Sequence, residues 1–177
     1  TMMREGAKIQ QHMFEAVENS IKIGATELEI VASAEEISRR NGFGGNVQMR
    51  RYPLQCDRAV IVSGRAGGIP SFFDSAIGGT GAHPLAGMGA GFTKLQAKQP
   101  ILVDLVHVHR GYVVDATRMY SIGQLPEPWE ERLSAMIEVS DSVVTSLGRG
   151  EDCSKAWEIG SQLAESMGHS EHLMGMK

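Results

Sequence analysis

The stretch that most restricts the fold of this chain is DLVHVHRGYVVDATR, Asp104 to Arg118. It predicts two β-strands, Ile101–Val106 and Tyr112–Tyr120, around a tight turn, with one aspartate on each arm. A turn on His109-Arg110, closed by Gly111, makes the numbers of cross-strand partners add to 219 and sets Asp104 directly opposite Asp115. Their Cβ atoms would then stand about 5 Å apart on one face. Like charges at that distance repel by on the order of 3 kcal/mol at an effective dielectric near 20. A proton on one acid, a basic side chain between them, or a divalent cation on both would relieve the repulsion. The flanking Ile101, Leu102, Val103, Val113 and Val114 are apolar, so water screens the pair poorly. A hard divalent cation accounts for both acids together. On spacing alone, a shifted register with one acid facing solvent remains the alternative.

The rest of the chain reads as helices around this hairpin. Residues 2–22 carry Ile9, Met13, Val17 and Ile21 at helical spacing, and Gly24 ends that helix. Thr26-Glu27-Leu28-Glu29 is a capping box opening a second helix, which runs to about Arg40 and stops at Asn41-Gly42. Strands are predicted at Asn46–Tyr52, Ala59–Ser63 and Ser71–Phe73, followed by a glycine-rich loop over Gly78–Gly91. After Pro126, with Pro128 suited to a first helical position, a helix is predicted over Trp129–Leu147 and ends at Gly148–Gly150. Asp152 can cap a last helix to about Met167, stopped by Gly168. Gly150 and Gly168 follow Gly24 and Gly42 by 126 residues each, which suggests two similar halves; a chance coincidence of glycines is the alternative. The chain stops nine residues after Gly168, so strands matching those of the first half are expected to be absent from it. A helical pattern already running at residue 2, behind a first threonine, reads as a segment of a longer chain.

At 177 residues the chain has material for one domain with a real core. A net charge of -4 favours neither nucleic acid nor an anionic membrane, and there is no signal peptide or apolar run of spanning length. Cys56 and Cys153 form no CxxC and read as structural free thiols in a reducing compartment. The loop GGTGAHPLAGMGAG lacks GK[ST] and has no GxGxxG between a strand and a helix, which excludes a P-loop and a dinucleotide fold. It reads as a substrate-side loop or a linker. The ten methionines suggest an adaptable core. Strand alternation turns His107 away from the acids; His107 and His109 read as structural or solvent-facing.

ILVDLVHVHRGYVVDATRMYSIG resembles the signature of the pita-bread metallopeptidases, which include Xaa-Pro aminopeptidases, prolidases, methionine aminopeptidases and creatinase. The matching features are Asp104 at the end of an apolar strand, Gly111-Tyr112, Asp115 eleven residues after the first acid, and Thr117-Arg118. MMREGAKI, IKIGATELEI, PILVD and GEDCSKAWEIGSQLAESMG extend the likeness over nearly the whole chain. The resemblance implies an α+β pita-bread fold: a curved antiparallel sheet backed by helices, in pseudo-twofold halves, the second incomplete. It implies metal-dependent hydrolysis of a peptide bond, next to proline, by a dinuclear centre of two Asp, one His and two Glu. Asp104 and Asp115 match the two Asp. The His and both Glu belong to strands beyond the last helix, and His169 and His172, at that helix end, do not replace them. Residues 1–177 are thus expected to be a partial catalytic domain, lacking an N-terminal domain and the C-terminal ligand strands. It is expected to be inactive, and to hold a cation weakly or not at all.

The resemblance further implies Mn, Co or Zn in the complete protein, with oxygen-rich ligation leaning toward Mn. It gives His83, in GAHPLAG, a substrate-side catalytic role, and Arg118 a structural one through a carboxylate or backbone carbonyls; Tyr112 is expected to pack. A peptide substrate, a homodimer and the cytoplasm belong to the same expectation. A methionine aminopeptidase is disfavoured by the lack of a Cys-His-Gly stretch upstream of the first acid. The rival reading is a non-catalytic pita-bread module that binds peptides or proteins. Creatinase-like hydrolysis without metal is a third. Both aspartates weigh against these two.

Overall fold

The computed structural model describes residues 1–43, 47–48, 55–56, 59–69, 78–85 and 87–173. These form two compact units, residues 1–124 and 125–177.

In the first unit, helices α1 (Met2–Ser20) and α2 (Glu27–Arg40) lie against an antiparallel sheet of β3 (Ala59–Ser63), β4 (Ile101–His109) and β5 (Tyr112–Tyr120), in that order. A short pair, β1 (Val47–Gln48) and β2 (Gln55–Cys56), forms a separate two-stranded sheet. Of the predicted strand Asn46–Tyr52 only Val47–Gln48 is described, and Ser71–Phe73 lies outside the described residues.

Alternation in β4 divides the sheet into two faces. Ile101, Val103, Leu105 and His107 are fully buried, and the first three share one core cluster with Met13, Phe14 and Val17 of α1 and Ile30 and Ala34 of α2. Leu102, Asp104, Val106 and Val108 therefore occupy the opposite face. The buried stripe of α1 is Gly6, Gln10, Met13, Phe14 and Val17, so Ile9 lies at its border. Gln10 is tolerated inside because its Nε2 donates to the Leu105 carbonyl at 2.6 Å. The capping box on α2 forms as predicted: Thr26 Oγ1 accepts from the Glu29 N–H, and the Glu29 carboxylate accepts from the Thr26 N–H. Those bonds hold the Glu29 carboxyl below its ordinary range.

The second unit is a pair of helices, α3 (Glu127–Gly148) and α4 (Cys153–Ser166). Pro128 takes the second helical position, and Asp152 is the residue before α4 but makes no side-chain cap bond. Ala156, Gly160 and Ala164 line the buried side of α4 at i, i+4 spacing. A Cβ on Gly160 would come within 2.7 Å of Val143 Cγ2, so the helices meet at van der Waals closeness there. The glycine echo holds in part. Gly42, Gly150 and Gly168 each follow a helix cap with positive φ, and the next residue's N–H bonds back five residues: Phe43 to Ser38, Glu151 to Ser146, His169 to Ala164. Gly24 also has positive φ but lies beyond the end of α1, and its N–H donates to the Leu95 carbonyl. Among the described residues no helix is long and apolar enough to cross a membrane.

Candidate metal centre

The hairpin turns on Arg110 and Gly111, one residue later than the spacing predicts. Both have positive φ, +50° and +88°, as a two-residue turn matching strand twist requires. His109 therefore pairs with Tyr112, Asp104 with Thr117, and Asp115 with Val106. This corrects the expected register: the acids share one face but lie on a diagonal, two residues apart along the ladder. Diagonal side chains in a sheet remain within reach of one another.

The diagonal leaves Thr117 opposite Asp104, and its Oγ1 donates to Asp104 Oδ1 at 2.7 Å. Asp104 is half-buried and Asp115 is solvent-accessible. Desolvation raises the Asp115 carboxyl, the charge of Asp104 and a hydrogen bond with it raise it further, and together they push it up to about 6. The pair thus relieves part of its repulsion by holding a proton, one of the three routes open to it. Two mutually destabilised oxygen donors also suit a hard divalent cation. Among the described residues no group of three or more His, Cys, Asp and Glu gathers to hold a metal ion, so the donor set there is these two carboxylates.

His83 is exposed on the glycine loop. Its Nδ1 accepts from the Leu85 N–H at 3.3 Å, and no hydrogen bond joins it to the acids among the described residues. The base of that loop nevertheless lies on the acid face. Val60 is opposite Asp104 and Val62 opposite Leu102, so both point the way the acids do. A Cβ on Gly79 would lie 2.8 Å from Val62 Cγ1. Val62 is two residues along β3 from Val60, or about 7 Å at the rise of a strand.

Other residues separate from the site. His107 is fully buried on the helix face, not solvent-facing; its Nδ1 meets Ser38 Oγ at 2.9 Å, and burial, then His109, lowers its pKa. His109 Nε2 lies 3.2 Å from Glu5 Oε2. Arg118 also points to the helix face, with its guanidinium over the Phe14 ring and Nη1 donating to the Thr117 carbonyl. Tyr112 is half exposed where packing was expected, and Cys153 is an exposed free thiol; the Cys56 side chain lies outside the described residues.

Sequence reasoning missed two residues. Thr117 was signalled by sharing the parity of Asp115, two residues away, but only the correct register puts it opposite Asp104. Glu27 looked like part of a helix start. It is fully buried, and its carboxylate accepts from the Ser63 N–H and Oγ and from the Gly91 N–H.

A family model for metallopeptidase family M24 matches residues 1–176. Comparison with curated protein sequences gives no match. Among solved structures, the chain is similar to the prolidase from Pyrococcus horikoshii, with a TM-score of 0.72 and 16% identity over 98% of this chain and 43% of that one. It is similar to the Xaa-Pro dipeptidase from Bacillus anthracis, with a TM-score of 0.72 and 18% identity over 96% and 41%. It is similar to the X-Pro aminopeptidase from Thermotoga maritima, with a TM-score of 0.68 and 19% identity over 96% and 41%. The chain spans about two fifths of the length of each of these structures.

Proposed function

The chain belongs to metallopeptidase family M24, and from that premise we propose that it supplies the two-aspartate part of a metal-dependent peptidase acting on bonds next to proline. The observation that carries this reading is the diagonal pair Asp104 and Asp115, in contact on one sheet face and raising Asp115 to about 6. A bound divalent cation would polarise the scissile carbonyl and acidify a water. Asp104 and Asp115 are its ligands in this chain. Thr117 fixes the carboxylate of Asp104 through Oδ1, which keeps that ligand in place without adding charge. His83, on a loop whose base packs on the acid face, stands on the substrate side, where its imidazole can donate to the peptide or the leaving amine.

Mn, Co and Zn all suit such a site, and the two hard carboxylates lean it toward Mn. The proline specificity leans on the prolidase and X-Pro aminopeptidase among the similar structures. A cytoplasmic homodimer completes the reading.

The test is cleavage, by the complete protein, of Xaa-Pro peptides against matched peptides without proline, in Mn, Co or Zn and after chelation. The expected result is metal-dependent cleavage of the Xaa-Pro bond that falls to background in Asp115→Ala. Activity unchanged in that variant, or unaffected by chelation, overturns the reading. Peptide binding without cleavage would favour a non-catalytic module.

A further inference from the structure

We infer that Glu27 is a positioning residue: its buried carboxylate latches the glycine loop to the sheet and so holds the loop's base on the acid-bearing face. The consequence for catalysis rests on the peptidase reading above; the latch itself does not.

A fully buried carboxylate demands satisfied oxygens. Glu27 has them on two separate elements. Oε1 accepts from the Ser63 N–H at 2.7 Å and from Ser63 Oγ at 2.9 Å, at the end of β3. Oε2 accepts from the Gly91 N–H at 2.9 Å, at the end of the loop. Glu27 is also the first residue of α2, where the helix dipole favours an anion, while its own N–H donates to the Thr93 carbonyl and the Leu28 N–H to the Gly91 carbonyl. Bonds from N–H or O–H to a charged acceptor are among the stronger ones a protein makes.

Gly91 has no room for a side chain. A Cβ on it would meet the Gly81 carbonyl and Thr80 Oγ1, each at 2.7 Å. The two limbs of the loop are joined to each other. Gly79 bridges Gly89, the Gly81 N–H donates to the Gly89 carbonyl, and the Gly89 N–H donates to the Gly78 carbonyl. Fixing Gly91 therefore fixes Gly79 and Gly81 as well. Gly79 in turn packs on Val62, whose side chain shares a face with Asp104. The chain of contacts runs from Glu27 through Gly91, Gly89 and Gly79 to the acid face. His83 and the exposed Leu85 extend from the part of the loop so held.

Amide hydrogen exchange on the full chain tests the latch without any assay of activity. Glu27→Gln keeps the shape. Its oxygen can serve both Ser63 donors, which leaves an amide NH₂ facing the Gly91 N–H. Exchange over residues 87–92 is expected to quicken about tenfold or more, while β4 and β5 keep their protection. Glu27→Met, which has no oxygen acceptor in any orientation, is expected to do the same. Unchanged exchange over 87–92 in a folded Glu27→Met overturns the inference. So does a rise shared equally with β4 and β5 in both variants, since Glu27 would then support only global stability.

In the complete protein with peptide substrate, Glu27→Gln should lower kcat/KM about tenfold and leave the affinity for Mn²⁺ unchanged by calorimetry. A loss of Mn²⁺ affinity would instead place Glu27 in support of the acids and overturn the loop-positioning role. If the complete wild-type protein cleaves no peptide, the peptidase reading falls, and the exchange experiment still decides the latch.

Discussion

Asp115 holds its proton more tightly in the folded chain than in the unfolded one. An unfolded aspartate titrates near 3.9, whereas Asp115 is pushed up to about 6 by burial and by Asp104. The folded state therefore binds more protons between these values. The resulting stabilisation is complete below about pH 4 and is lost as pH rises through about 6. Because Asp115 is solvent-accessible, screening reduces the effect to on the order of 1 kcal/mol. In EDTA-treated protein, Asp115→Asn should flatten this part of the melting-temperature profile against pH. A profile identical to wild type between pH 4 and 6 would show that the two acids do not interact. A cation must displace the same proton, so Mn²⁺ affinity should weaken as pH falls below 6. Thr117 acts one step back. Thr117→Val keeps the shape and removes the donor to Asp104 Oδ1, and the loss of such a supporting bond costs about 10–100-fold in metal affinity. Calorimetry with Mn²⁺ reads this directly; unchanged affinity would leave Thr117 with no role beyond the sheet.

Helices and strands were legible in the sequence where their signals are local. The capping box Thr26–Glu29 and the parity of Asp104 and Asp115 need only neighbouring residues, and both were read correctly. The hairpin register was not, because it depends on Arg110 accepting a positive φ, which its side chain does not advertise. The buried bonds of Glu27 were missed for a different reason: its partners lie 36 and 64 residues away, beyond the reach of any periodicity. The α3–α4 contact is another feature set by packing. Gly160→Ala would gain about 1 kcal/mol of helix propensity, but the new methyl meets Val143 Cγ2 at 2.7 Å. Valine is stiff at χ1, and such overpacking costs about 1–3 kcal/mol. The net expectation is a destabilised helix pair, seen as a lower melting temperature. An unchanged or raised one would mean the helices separate at little cost.

At the scale of the whole molecule, the chain matches its family from end to end while spanning about two fifths of the similar structures. Its two units carry no common sequence motif longer than their glycines, yet three helix ends close in the same way. Gly42, Gly150 and Gly168 have φ of +91°, +80° and +75°, and nothing lies within 4 Å of a Cβ built on any of them. Replacing them thus costs backbone conformation and no collision, roughly 1 kcal/mol each for Ala. A saturation mutagenesis scan read out as folded protein should give the three sites one shared fingerprint: glycine best, asparagine next, β-branched residues worst. Such a scan would reveal the recurrence of one helix-ending device across both units, including where sequence identity between them is too low to register.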